Sequence, residues 1–447
     1  MKRLITILAL STAVTLLSAQ TPLSLDLCLK LARENNPELR KSQLNVKRAE
    51  EVKAQAFTKY FPQVQGTGFA YHALHPLVDV SIDDIANESV RELLILIYEN
   101  LGAEYGMPYS LQLFQHGYLF GVTAIQPIFV GGKIVNGNRL AKVGVEAAKL
   151  QAQIDERDIL EQTEEAYWLV YGLQQKQHII DDAVSLLDTL YETVNTAVQA
   201  GLALPSDISQ VSIRRNEIAR KQLQLQSGLR LSRRALSLAT GLPEDSINAL
   251  EEPDINDVGS NTLEEPYTPT PEHELLALQV RAAELERKIA LADALPQLAL
   301  GANYSYSHFT AEMLKNGLSS KTGNGALFVT LQVPLSGWWE TAHKLKEKRY
   351  AIEQAQIDAA FLGDKLSLRD QQAYDQLMES EALLQLQQQM ATQAEDTYNQ
   401  TLANYEAGRA TIVELLQAQM TRTQSAVDLT DAQIEYLIHL QRYKDLH

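Results

Sequence analysis

The sequence predicts a mainly α protein with a small β part, in which one plan of helix, two strands and long helical hairpin is used twice. Three observations predict it. The stretch from Arg139 to Ala200 contains no proline and is rich in Ala, Gln, Glu, Leu and Lys, so it forms one helix of roughly 90 Å. It ends in Ala200-Gly201-Leu202-Ala203-Leu204-Pro205-Ser206-Asp207, where glycine supplies a left-handed stop and proline opens a returning helix that runs to about Thr240. Landmarks then recur without insertion: Pro127 and Pro334, Tyr191 and Tyr398, Gly201 and Gly408 each lie 207 positions apart. Finally, Leu298, Leu300, Ala302, Tyr304 and Tyr306 alternate with small or polar residues, which is the period of a strand.

Bulk properties narrow the class. A net charge of −17 argues against a nucleic-acid partner, because neutralising phosphates takes clustered Lys and Arg. Cys28 is the only cysteine, so no intrachain disulfide forms. Lys2 and Arg3 precede an apolar run from Leu4 to Leu17 and then Ser18 and Ala19, the order of a secretory signal peptide over residues 1–19. No cysteine follows Ala19 directly, so no lipid anchor is expected there.

The first repeat spans 20–240. Leu25 to about Lys59 forms a helix interrupted at Asn35-Asn36-Pro37, and Pro62-Gln63 ends it and opens a strand over about 64–71. The second strand covers about 118–126, with Phe120, Val122 and Ala124 on its apolar face. The long connection 72–117 holds the apolar run Leu93 to Ile97 between Glu92 and Glu99, expected to be a small helix in a surface loop. Along the hairpin, Ile180, Val184, Leu187, Tyr191, Val194 and Val198 recur at coiled-coil intervals. An acidic, proline-containing linker occupies 241–270. The second repeat, 271–447, opens with a helix from Pro271 to about Leu295, then carries the strand 298–306, a polar loop 309–324 and a strand 327–333. Its hairpin carries Leu383, Leu386, Met390, Ala394 and Thr397 at seam spacing, and its tip is Asn404 to Thr411.

The strands admit two readings: a soluble β cap on a coiled coil, or membrane-spanning strands with an apolar outer face and aromatic girdles at Tyr71, Tyr118, Tyr304 and Tyr306. Trp338 and Trp339 suit an interfacial anchor where strand meets helix. Four strands cannot close a barrel, and open edges in lipid leave backbone groups unsatisfied, so a spanning sheet requires several chains. No enzyme chemistry stands out. Gly131-Gly132-Lys133 lacks the earlier glycine and the Ser or Thr of a P-loop, and His72 and His75 lack a third metal ligand. No cofactor or metal is expected.

This arrangement resembles the TolC family of outer-membrane efflux channels. The resemblance covers nearly the whole mature chain: Phe61-Pro62 before the first strand, Gln126-Pro127-Ile128-Phe129 with Gly131-Gly132 after the second, Val333-Pro334-Leu335 after the fourth, and two glycine tips. It implies a homotrimer in the outer membrane, with a shared 12-stranded β-barrel and a periplasmic α-barrel. It implies an exit duct passing small molecules from an inner-membrane pump through a periplasmic adaptor. The alternatives are a type I protein secretion exit channel and a secreted structural coiled coil with a β cap. The positions matching the family's adaptor-docking tips are Ala200, Gly201 and Leu202 with Ala407, Gly408 and Arg409. Asp207 and Tyr405 match an aperture gate. The expected basic gate residue falls at Ala410, and Arg409 stands one position earlier. Asp207 also suits a cap for the returning helix.

Overall fold

The computed structural model describes residues 22–75, 77–102, 109–253, 270–312 and 318–446. The expected signal peptide, most of the acidic linker (254–269) and residues 313–317 lie outside them. The chain divides into two compact units. One contains Met1–Arg48, Glu146–Leu278 and Gln356–His447, and the other Ala49–Val145 and Gln279–Ala355.

The first long segment is two helices, α1 (Leu25–Asn35) and α2 (Pro37–Thr58). Asn36 separates them: its N–H donates to Ala32 O at 2.9 Å, and its Oδ1 accepts from Glu38 N–H at 2.9 Å. Pro37 begins α2, where a missing donor costs nothing. Short α3 (Glu88–Ile97) lies in the long connection, as expected. Then come α4 (Lys133–Gln199), α5 (Pro205–Thr240), α6 (Pro271–Ala292), α7 (Trp338–Glu406) and α8 (Ile412–Asp445). Helix α4 starts six residues earlier than its composition suggests, directly after Gly131 and Gly132. Both glycines have positive φ (63° and 82°), and a Cβ on Gly131 would lie 2.8 Å from Ala292 O. Both residues thus take a backbone turn that favours glycine, and Gly131 sits against the end of α6 in a space no side chain fits.

The sheet consists of β1 (Gln63–His72), β2 (Val78–Ser81), β3 (Ser110–Val130), β4 (Gln297–Glu312) and β5 (Leu318–Gln332). Its order is β1-β3-β4-β5, antiparallel throughout, with β2 also paired to β3. The expected polar loop 309–324 is corrected here, because β4 continues to Glu312 and β5 begins at Leu318. Side-chain alternation fades in this stretch while the backbone pairing continues, and alternation is what the sequence reports.

In the helical unit, one core joins α1, α4, α5 and α8 through Cys28, Tyr167, Trp168, Val170, Leu229, Leu236 and Ile434, with Ile247 and Leu250 packed into it. Segment 241–253 is thus held rather than loose. Leu23 and Leu250 form a parallel bridge, and the Tyr167 hydroxyl donates to Leu23 O at 2.8 Å. A second core near the tips contains Leu187, Val194, Val211, Tyr398, Ile412, Leu415 and Leu416. The α4 seam is filled at Ile180, Ala183, Leu187 and Val194. On α7 the expected seam is corrected. Of the expected positions Ala394 is buried, but Leu383, Leu386, Met390 and Thr397 are exposed, and the filled seam runs instead through Ala373, Leu377, Ser380, Leu384 and Tyr398.

Candidate functional site

The two hairpin tips close in the same way. Gly201 has φ 71° and Gly408 φ 69°, with nothing near either that would obstruct a Cβ, so the left-handed backbone alone calls for glycine. Gly201 N–H donates to Val198 O at 3.0 Å and Leu202 N–H to Ala197 O at 2.8 Å. At the other tip, Gly408 N–H donates to Tyr405 O at 2.9 Å and Arg409 N–H to Asn404 O at 2.7 Å. These paired bonds are the Schellman stop, formed twice at the same register. Ala200, Gly201 and Leu202 are exposed at the first tip, and Ala407, Gly408 and Arg409 at the second.

The returning helices are capped by equivalent acids. Asp207 Oδ2 accepts from Leu204 N–H at 3.1 Å, and Glu414 Oε2, 207 positions on, accepts from Thr411 N–H at 2.7 Å. Those bonds hold the Glu414 carboxyl below its ordinary range. Asp207 therefore has a helix-capping role within its own chain. Tyr405 is half-buried against the tip core. Burial, then the Asp207 charge, pushes its hydroxyl upward. Arg409 is exposed.

Behind each tip lies a clip that sequence reading missed. Arg215 donates to Asp188 Oδ1 at 2.6 Å and stacks over the Tyr191 ring at 4.7 Å. Arg422 donates to Glu395 and stacks over Tyr398 at 4.8 Å. All three members repeat at the 207-residue offset (188 and 395, 191 and 398, 215 and 422), which was the available signal.

Strand pairing sorts the sheet into two faces, because directly paired residues share a face. One carries Val64, Tyr118, Phe120, Val122, Leu298, Leu300, Tyr304, Tyr306, Leu327, Val329 and Leu331. The other carries Gln63, Gln65, Thr67, Thr123, Asn303, Ser305, Thr330 and Gln332, with Asn303 donating to Thr123 Oγ1 at 2.8 Å. Tyr118, Tyr304 and Tyr306 lie on the apolar face as expected. Tyr71 is a correction: it pairs with Gly117 and stacks with Phe69 on the polar face, since one residue of parity reverses the side. Trp338 and Trp339 are exposed at the start of α7. Among the described residues no His, Cys, Asp and Glu group suits a metal ion.

The profile of the family described as outer membrane efflux protein matches residues 28–242 and 274–444. The outer membrane protein TolC of Vibrio cholerae is 22% identical over 283 residues, covering 61% of this chain and 64% of that protein's own length. The Campylobacter jejuni CmeC outer membrane channel superposes with a TM-score of 0.74 at 13% identity, covering 94% of this chain and 85% of that one. The outer membrane protein VceC of Vibrio cholerae gives 0.71 at 17% identity, covering 94% and 95%. The open-state MtrE outer membrane channel of Neisseria gonorrhoeae gives 0.69 at 14%, covering 94% and 88%. With a duplicated helix-strand-strand-hairpin plan, two matching glycine tips and a profile match over most of its length, this chain belongs to the outer membrane efflux protein family, whose members are channels rather than enzymes.

Proposed function

We propose that the chain is the outer-membrane exit duct of a tripartite efflux assembly, working as a homotrimer. The observation that supports this most is the sheet. Its apolar face suits lipid and its polar face suits water, while β1 and β5 each leave one edge unpaired among the described residues. An unpaired edge costs several kcal/mol per backbone group in hydrocarbon, so closure takes other copies. Three copies of the four long strands give twelve, within the size range of membrane barrels.

The helical hairpins then line a periplasmic passage, and the tips Ala200 to Leu202 and Ala407 to Arg409 receive a periplasmic adaptor joined to an inner-membrane pump. Asp207, Tyr405 and Arg409 constrict the resting end. Conduction is passive: the adaptor opens the tips by binding their splayed state better than their closed one. Small molecules are the proposed cargo.

Asp207 needs a substitution that separates gating from capping. Asp207→Asn keeps an oxygen for Leu204 N–H but removes the charge, whereas Asp207→Ala removes both. In planar-bilayer recordings, Asp207→Asn combined with Tyr405→Ala should raise resting conductance several-fold with the helices intact by circular dichroism. Unchanged conductance would take both residues out of the gate.

A further inference from the structure

The helical unit contains a buried amide whose hydrogen-bonding capacity is only half used. Gln419 on α8 is 5% exposed. Its Nε2 donates to Thr423 Oγ1 at 3.1 Å, but its Oε1 is buried with no hydrogen-bond partner among the described residues. An oxygen so placed has given up water without gaining a donor in exchange, and folded interiors seldom keep one in that state. Packing does not call for a polar side chain here, since Leu415, Leu416 and Ala418 beside it are buried and apolar.

Gln419 lines a cavity of about 390 Å³ formed by α4, α5 and α8, with Met390 contributed by α7. That volume falls among those of small-molecule sites, about 300–1,000 Å³. Leu187, Ile218, Met390, Leu416 and Met420 supply its apolar wall, and the thioethers can adapt to the shape of a guest. Its charged side chains are Arg214, Glu217, Lys221 and Asp428, two of each sign. All four are engaged: Arg214 donates to Glu217 at 2.7 Å, Lys221 donates to Gln424 at 3.1 Å, and the Gln424 amide donates to Asp428 at 2.7 Å. No charge is left over to select an ion. Gln419 and Thr423 also line a second cavity, of about 540 Å³, beside α7. That one contains Asp182, Glu395 and Arg422, so a neutral guest is better served by the first.

We propose that the 390 Å³ cavity is a binding site for a small neutral amphipathic molecule, an aromatic or branched apolar body carrying one hydroxyl or amide N–H. The donor pairs with Gln419 Oε1 and the apolar body lies against the five apolar side chains. Such a molecule meets α5 of the first hairpin and α7 and α8 of the second, so both hairpins grip it. The site is built wholly within the helical unit and stands whether or not the strands span a membrane.

The test photolabels the purified full-length assembly with 4-(hydroxymethyl)benzophenone and, in parallel, with its methyl ether, which keeps both rings but has no donor. Activated benzophenone inserts into C–H bonds it touches, so tandem mass spectrometry of the labelled peptides marks where it sat. Met390 and Met420 should carry the label, about fivefold more from the alcohol than from the ether, the scale of one hydrogen bond. Gln419→Leu, similar in volume, should bring that ratio to about one. Ile218→Trp fills the cavity and should remove the label from both methionines with either probe, which tests the same site should Gln419→Leu fail to fold. Circular dichroism checks the helices of each variant. Equal labelling by alcohol and ether, a ratio that survives Gln419→Leu, or label that persists in folded Ile218→Trp overturns the site. Label on neither methionine, or confined to the side of Asp182, Glu395 and Arg422, also overturns it.

Discussion

Glu272, at the start of α6, concentrates the residue-scale energetics. Arg157 on α4 donates to it at 2.6 Å and Arg369 on α7 at 3.0 Å, so one carboxylate ties three helices. Burial is the largest single influence on this group and would raise it, but the two guanidiniums together with further hydrogen bonds hold it down to about 2. Its folded value lies below its ordinary 4.5, so its stabilisation is present above about 4.5 and is lost as pH falls toward 2. Glu272→Gln leaves both arginines short of a charge and should cost about 3 kcal/mol at neutral pH. The urea midpoint of the helical signal reads this, and the gap between the parent and the variant should narrow below about pH 4.5 and close only as the pH falls to about 2. A gap independent of pH would mean that packing, not charge, carries the residue. Cys28 makes the contrasting case: burial pushes its thiol up to about 12, which removes the reactive thiolate at neutral pH and leaves a packing role.

At the scale of elements, the duplication is written in local chemistry as well as in length. Each hairpin carries an acid, an arginine and a tyrosine at equivalent positions, and each tip repeats the same pair of backbone bonds. Arg422→Met keeps the aliphatic stem but removes both the ion pair and the stacking. With the pair more than a third exposed, the loss should be about 1 kcal/mol. Hydrogen exchange should quicken in α7 and α8 near the tip and stay unchanged in α4 and α5, while Arg422→Lys should fall between because it lacks the planar fork. Equal quickening in both hairpins would contradict the view that each clip serves its own hairpin. The tips were legible because glycine and proline leave a direct record of backbone geometry. The clips were not, since an arginine on a polar helix face has the same spacing whether solvated or stacked. The α7 seam was misplaced for a related reason. That helix carries apolar residues on two faces, and periodicity alone does not say which face its own chain fills.

The unfilled faces define the molecule as a whole. On α7, Ile357, Phe361 and Leu368 are exposed at intervals of four and seven, and on α5 Leu231 and Leu238 are exposed seven apart. Rows at this spacing have the period of packing seams, and among the described residues nothing covers them. Repeats, hairpins and strand alternation could be read from sequence because each is a local pattern. The helical faces proposed to meet another copy could not, because what would cover them is not among the described residues. If α5 of one copy packs against α7 of the next, each buried Leu or Phe contributes about 1.5–3 kcal/mol per interface, and a closed ring repeats the gain at every interface. A single glutamate at Phe361 or at Leu231 should therefore lower the assembled mass to that of one chain in analytical ultracentrifugation in detergent, with helical content unchanged. Leu202→Glu serves as the control: Leu202 is equally apolar and more exposed, but it lies at a tip proposed to receive the adaptor, so the assembly should keep its mass. If Phe361→Glu and Leu231→Glu both retain the full mass, these rows are not the seams between copies, and the tunnel would have to close through other faces.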